Sequence, residues 1–316
     1  MQAIGPFRSF ISMKREMLTT KEVAEYLSIN EKQVYRLIKE KKIPAARVTG
    51  KWLFPKELID EWVMASAREN SGTQPKHKPS NNQVVIAGSN DLALELLTKS
   101  VNILHPGYTV SISNVGSLAG FIALQNGNCD IAASHLLDFE TGEYNSSFIK
   151  KHFSDLKVTV LNLAYREQGL IVQRENPLGI RNLKGLASRK ATFVNRQDGS
   201  GTRVLLDYKL QEEGIDPSEI PGYSRIAYTH MEVALEVFGG SADVGMGILA
   251  SAKLLGLDFI PLATERFDLI IPNEIFPTEP VKALREVLGS GEFKSNVIRM
   301  GGYNTRDTGK IMYERG

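Results

Sequence analysis

Two hydrophobic periodicities divide the chain. Up to about residue 66, apolar positions recur every three or four residues: Val23, Ala24 and Leu27, then Val34, Leu37 and Ile38, then Leu58, Ile59, Trp62 and Val63. That spacing predicts three amphipathic helices. Thr19 with Glu22 and Asn30 with Gln33 fit capping boxes at the first two helix starts, and "LSIN" supplies the tight turn between them. In "IPAARVTGKWLF" the helical period stops at Pro44, and Gly50 separates two strand-like pieces, which predicts a hairpin. Pro55 then stands where a first helical residue tolerates proline. Helix, turn, helix, hairpin, helix is a winged helix-turn-helix order.

From Gln83 the pattern changes. Short apolar or β-branched runs ("VVIAGS", "TVSISNV", "CDIAAS", "VTVLNLAY", "GLIVQ", "ATFVN", "RIAYT", "ADVGMGI", "DFIPLA") alternate with helical patterns such as "DLALELLTKSVNIL" and "MEVALEVF". This alternation predicts an α/β fold of two small lobes with mainly parallel strands, and a ligand in the crevice at their carboxyl ends. Between the two regimes, "SGTQPKHKPSNN" has linker composition. The organisation expected is a disordered tail over 1–16, a mainly α winged helix-turn-helix over 17–66, a linker over 67–82 and an α/β domain over 83–316. Its first lobe would take about 83–163 and 270–316, its second about 164–269.

Composition narrows the function classes. The 316 residues hold one cysteine, Cys129, so no intrachain disulfide is possible. No apolar run reaches the length of a membrane helix, and the amino terminus has no signal-peptide pattern, so a cytoplasmic protein is expected. Residues 1–80 carry 15 Lys and Arg against 9 Asp and Glu, the remainder 23 against 27. A basic head on a mildly acidic body points to a polyanion at the head alone. Lys32, Gln33, Tyr35, Arg36 and Lys39 fall on the outward side of the second helix, with Arg47 and Lys51 on the hairpin. Gln and Arg suit base edges, Lys and Tyr phosphates. Across "LTTKEVAEYLSINEKQVYRLIKEKKIPAARVTGKWLFPKELIDEWV" the head resembles the excisionase/MerR-type DNA-binding module. That likeness implies double-stranded DNA as partner, and makes Trp52 and Phe54 wing core. One head is too small for operator-level affinity, so a homodimer is expected.

In the body, strands repeatedly stop at Gly, Ser or Asn just before a helix: at Ser89 and Asn90, at Gly116 and Ser117, at Gly199 to Thr202, and at Thr229 and His230. Free N–H groups and the macrodipole make such starts anion sites. In "FVNRQDGSGTRVLLDYKL" an arginine fork, Arg196, precedes Ser200, Gly201 and Thr202, and Asp198 is placed to orient it. His135 and His230 are candidates to line the cleft, with a satisfied structural histidine the preferred reading of each; Glu265 is read as a hinge or pocket residue and Asp243 as part of a turn. Cys129 is read as a buried thiol. The segments "VGSLAGFIALQNGNCDIAASHLLDFETGEYN", "YREQGLIVQRENPLGI", "FVNRQDGSGTRVLLDYKL", "ADVGMGILASAKLLGLDFIPLATERFDLII" and "GGYNTRDTG" resemble type II periplasmic-binding-protein-like domains. The variety they resemble is a cytoplasmic one found attached to helix-turn-helix heads and to molybdopterin-biosynthesis proteins. The resemblance implies oxyanion binding by Ser89, Ser117, Arg196, Ser200, Gly201 and Thr202, with molybdate or tungstate favoured, and Asn90 joins them as a candidate from its place at the helix start beside Ser89.

No metal-ligand spacing, nucleophile elbow or Walker A pattern is present, so neither catalytic residue nor cofactor is expected. The expected protein is a ligand-responsive transcriptional regulator, with no membrane partner. The alternatives are an enzyme or carrier in molybdenum-cofactor metabolism, or a sensor of phosphate or another small anion.

Overall fold

The protein is described here from a computed structural model. It covers residues 17–27, 29–40, 43–48, 50–56, 58–59, 82–139, 141–152, 157–188 and 191–315. The chain divides into two compact units, Met1–Pro75 and Lys76–Gly316. The expected tail, the linker up to Asn82, and Trp62 and Val63 lie outside the described residues.

In the first unit, β1 (Met17–Thr19) leads into α1 (Thr20–Tyr26). There follow α2 (Glu31–Lys39), β2 (Ala46–Val48) and β3 (Lys51–Pro55). Both expected capping boxes form: Thr19 and Asn30 each accept from the third helical N–H, and Glu22 and Gln33 reach back. The strands pair antiparallel in the order β1-β3-β2. The sequence pattern gave no sign of β1, a three-residue strand with a single apolar residue facing inward, Leu18. Val23, Ala24, Val34, Ile43, Phe54 and Ile59 close the core. Phe54 is fully buried, whereas Trp52 is half-buried beneath the Arg47 guanidinium, 5.7 Å from its ring centroid.

The second unit runs β4 (Gln83–Gly88), α3 (Leu92–Leu104), β5 (Thr109–Asn114), α4 (Ser117–Gln125), β6 (Ile131–Ser134), α5 (Ser146–His152) and β7 (Val158–Val172). It continues through α6 (Leu183–Ser188), β8 (Phe193–Arg196), α7 (Gly201–Glu213), β9 (Ile226–Ala227), α8 (His230–Phe238), β10 (Val244–Ile248) and α9 (Leu249–Leu254). Last come β11 (Asp258–Pro272), α10 (Glu279–Gly289), α11 (Gly291–Met300), β12 (Tyr303–Asn304) and β13 (Ile311–Glu314). The sheet order is β5-β4-β6-β11-β7-β10-β8-β9, with β12 and β13 also paired to β7.

The sheet is mixed, not mainly parallel. The outer pairs β4–β5, β4–β6, β8–β10 and β8–β9 are parallel, but every pairing made by β7 and β11 is antiparallel. These two 15-residue strands pass through both halves of the domain. The first half of β7 and the last half of β11 pack with β4, α3 and α10 in one core, around Ile86, Leu97, Leu161, Phe267 and Leu284. Their other halves pack with β8, α7 and β10 in a second core, around Leu170, Phe193, Leu206 and Met246. "VTVLNLAY" and "GLIVQ" are therefore one strand, and "DFIPLA" continues through "TERFDLII". The polar interruptions that read as breaks, Arg166 to Gln168 and Thr264 to Arg266, lie where the strands cross from one core to the other.

Candidate functional site

Four strands of this domain end beside helix starts, and those starts are not equivalent. The α3 start carries an acid: Asp91 Oδ1 accepts from the N–H groups of Ala93 (2.7 Å) and Leu94 (3.1 Å). The α4 start has no side-chain cap, and Gly116 holds a left-handed φ of 91° that a side chain would resist. Ser200 caps α7 by accepting from Arg203 N–H at 3.2 Å, and Thr229 caps α8 by accepting from Glu232 N–H at 3.0 Å.

Between these starts lies a buried polar hub on the crossing strands. Arg166 and Glu265 are register partners on β7 and β11. Arg166 Nε donates to Glu265 Oε1, and its Nη1 donates to Asp91 Oδ2 at 2.6 Å and to the Asn90 carbonyl at 3.3 Å. Gln168 Nε2 donates to Glu265 Oε1 at 2.9 Å and to Thr202 Oγ1 at 2.8 Å. Glu265 Oε2 is 2.9 Å from His135 Nδ1, and His135 Nε2 is 2.9 Å from Ser89 Oγ. Tyr303 donates to Asp91 Oδ2 at 2.9 Å.

The charge states follow from this wiring. Burial pushes the Glu265 carboxyl up, but Arg166 and His135 outweigh it and hold it down at about 2. Burial lowers His135 more than Glu265 raises it, so its imidazole is neutral. An ionised carboxylate only accepts, so Nδ1 carries the proton, and Nε2 then accepts from the Ser89 hydroxyl. That hydroxyl proton is committed to His135 and is not offered to a ligand. Burial opposes the charge on Arg166, but Glu265 and Asp91 overcome it and raise its pKa above the ordinary arginine value.

Arg196 is the contrasting case. It is 1% exposed at the end of β8. Its Nη2 donates to the Tyr228 carbonyl at 2.8 Å and its Nε to Gln197 Oε1 at 3.2 Å, while Nη1 has no partner. Burial, then repulsion from Arg166, pushes it down to about 10. Asp198, expected to orient it, instead lies 3.5 Å from Arg203 with its side chain 87% exposed. A buried cation held only by neutral oxygens is costly unless an anion completes it. Nearby, both ring nitrogens of His230, Arg166 Nη2 and Gln168 Oε1 are buried without partners.

All seven candidate ligand-binding residues are buried. The fold gathers them around His135, Glu265 and His230. Ser117 Oγ accepts from His135 N–H at 3.3 Å, and Asn90 Oδ1 accepts from His230 N–H at 3.4 Å. Asn90 Nδ2 is spent on Glu95 at 2.9 Å. Ser117, Ser200 and Thr202 each accept a bond, which leaves their hydroxyl protons to donate. Gly201 presses its backbone on the imidazole: a Cβ there would stand 2.3 Å from His135 Cε1. Gly201→Ala is therefore expected to push the ring off Ser89 and Glu265 and to lower stability by about 1–3 kcal/mol, measured by denaturant unfolding of the full chain.

Sequence reasoning passed over Arg166, Gln168, Asp91 and Tyr303, and misread His230 as satisfied. The signal it had was polar residues inside otherwise apolar strand runs. Asp243 stands at a bend just before β10, accepting from Thr192 N–H at 2.8 Å, and Cys129 is buried.

In the first unit, Lys32, Gln33, Tyr35, Arg36 and Lys39 are exposed along α2, and Arg47 and Lys51 on the hairpin strands. Gln33 is partly occupied, since its Oε1 accepts from Asn30 N–H at 3.2 Å. Arg36 has Glu40 4.0 Å away. Among the described residues, no helix is long and apolar enough to cross a membrane.

Comparison with known proteins fits both units. Residues 99–289 match the PBP superfamily domain, and residues 17–66 match a helix-turn-helix domain. The uncharacterized protein YvgK of Bacillus subtilis (strain 168) is 33% identical over 306 residues, which cover 94% of this chain and 97% of YvgK. Among solved structures, a putative phosphate ABC transporter substrate-binding protein with bound phosphate from Clostridium perfringens superposes with a TM-score of 0.51. It is 20% identical and covers 69% of this chain and 98% of its own. The tungstate ABC transporter from Geobacter sulfurreducens gives 0.50 at 14% identity, covering 68% and 97%. At these identities the likeness is one of fold.

Proposed function

The chain belongs to the PBP superfamily, and from that membership and the buried hub we propose that it is a ligand-responsive transcriptional regulator. Its helix-turn-helix unit, of excisionase/MerR type, binds double-stranded DNA as a homodimer in the cytoplasm. Its second unit senses a small tetrahedral oxyanion, molybdate or tungstate in preference to phosphate, and carries no catalytic residue. The observation that supports the anion is Arg196, a buried guanidinium with neutral partners whose Nη1, with its two N–H groups, has none.

The preference within the oxyanions rests on the resemblance of this unit to domains attached to molybdopterin-biosynthesis proteins. At neutral pH phosphate keeps a proton that needs an acceptor, whereas molybdate and tungstate want donors only. Glu265 and Asp91 are the carboxylates of the hub, and all four of their oxygens already accept bonds from Arg166, Gln168, His135, Tyr303 or the start of α3. Glu265 Oε2, however, accepts a single bond, and Gln168 Oε1 and one nitrogen of the neutral His230 ring are unpartnered acceptors, so a phosphate hydroxyl can also be met and titration with phosphate beside molybdate decides between them.

Fluorescence anisotropy on operator DNA, with and without molybdate, tests the regulator reading. Arg36→Ala is expected to weaken specific binding by about 1–3 kcal/mol, as for a residue that reads a base. Lys51→Ala is expected to weaken binding to every sequence alike and to flatten its salt dependence. Molybdate and DNA are each expected to change the other's affinity by the same factor, on the order of 1–3 kcal/mol. No binding to any DNA at low salt, with or without oxyanion, would sink this reading.

A further inference from the structure

His230 opens α8 with its side chain 1% exposed, yet neither Nδ1 nor Nε2 has a hydrogen-bond partner. A neutral imidazole has one N–H to donate and one lone pair to fill, and burying both unmet is expensive. The ring is enclosed on several sides. Asn90, beyond β4, accepts from the His230 backbone N–H, and on β10 a Cβ placed at Gly247 would stand 3.5 Å from Nδ1. Three ionisable side chains bear on the ring: Arg196 from β8, Arg166 from β7 and His135 from beyond β6. Burial, then the charges of Arg196 and Arg166, hold His230 neutral, well below the ordinary histidine value. Glu232, on the same helix, turns its carboxylate to the Tyr228 N–H at 2.6 Å.

The fixed charges of the hub cancel. Counting buried groups alone, Arg166 and Arg196 are matched by Glu265 and Asp91, both histidines being neutral, while Glu232, the carboxylate that acts most strongly on Arg196, is exposed. A dianion entering beside Arg196 leaves this buried volume two negative charges in excess, and the group best placed to answer is the unpartnered imidazole. The open bonds agree, since protonation turns the unfilled lone pair of His230 into a second N–H donor, able to serve an anion oxygen. We propose that His230 is a ligand-contacting residue of this site, and that it takes up one proton from solvent as the oxyanion enters. No bond is made or broken beyond that N–H. His230 thereby makes affinity for a dianion pH-dependent, although molybdate itself brings no proton near neutral pH. This inference rests on the oxyanion reading above.

Calorimetric titration of the full chain with sodium molybdate, near neutral pH and in buffers of differing ionisation enthalpy, counts the protons. The expected result is net uptake approaching one proton per molybdate bound. A group whose pKa rises on binding strengthens binding at low pH, so affinity is expected to fall as pH rises, by at most about tenfold per pH unit. In His230→Gln, molybdate is expected to bind more weakly, with the uptake abolished. Binding by the parent chain without proton uptake overturns the proposal and leaves the oxyanion reading intact. Uptake that persists in His230→Gln places the proton on His135 and equally overturns it. No heat with molybdate, tungstate, sulfate or phosphate removes both readings together.

Discussion

Arg196→Met is expected to yield a folded protein at least as stable as the parent, and one that no longer binds oxyanions. Two opposing consequences of the same burial lead there. Without ligand, Arg196 is a desolvated cation, pushed down to about 10, whose partners are a carbonyl and an amide oxygen. Replacing such a charge by an apolar side chain of similar length is often neutral or stabilising. With ligand, the same guanidinium supplies a charge-assisted bond where water cannot substitute for it. Removing one member of a buried charged pair costs about 2–5 kcal/mol, which is roughly 30- to 4,000-fold in affinity. Arg196→Lys keeps the charge but not the planar fork, and is expected to fall between the two. Thermal unfolding without ligand and calorimetry with molybdate separate the effects. Oxyanion binding by Arg196→Met at the parent's affinity would show the site to be wrongly assigned.

The opposite behaviour is expected at Arg166, which is as deeply buried but already paired. Its guanidinium joins Glu265 to Asp91 and stacks 4.5 Å from the Phe267 ring centroid. Arg166→Met strands two carboxylates in the interior and is expected to cost about 3–5 kcal/mol of stability. Arg166→Met combined with Glu265→Gln removes one stranded charge and is expected to recover part of that loss. The pH dependence distinguishes this from lost packing. In the parent, Glu265 titrates at about 2 against an ordinary 4.5, so its contribution is complete above 4.5 and is lost as pH falls towards 2. In Arg166→Met the unpaired carboxyl accepts a proton readily, so the deficit relative to the parent is expected to narrow on acidification. Urea unfolding of both chains at several pH values measures it, and a deficit that stays constant with pH would mean that packing carries the effect.

The two arginines also mark how far the sequence could be read. Arg196 was legible because its context is local. It ends a strand four residues before Ser200, and a strand that stops at small residues before a helix leaves backbone N–H groups exposed whatever packs around them. The capping boxes at Thr19 and Asn30 were legible for the same reason, as each is closed within three residues. Arg166 was not legible, because its partners are distant in the chain: Asp91 lies 75 residues before it and Glu265 99 after it. In sequence it was a charge interrupting a run of apolar residues, and a charge in a strand reads as a boundary. Misreading it split β7 in two, ended β11 early and made a mixed sheet look mainly parallel.

His230 shows the remaining distance. Its place at a helix start was visible from "YTHMEV", but whether a histidine is satisfied depends on what surrounds its ring, and the ionisable groups there come from β7, β8 and the residue after β6. By itself, then, the sequence determined the change from a helical head to an α/β body, the basic face of the head and the small-residue turns that leave N–H groups open, because each is set by neighbours a few residues apart. Tertiary structure alone decided that two strands cross between cores, that their polar residues meet at that crossing, and which buried donors there remain unpaired. Those outcomes depend on contacts across 75 to 130 residues of chain, where no local periodicity reaches.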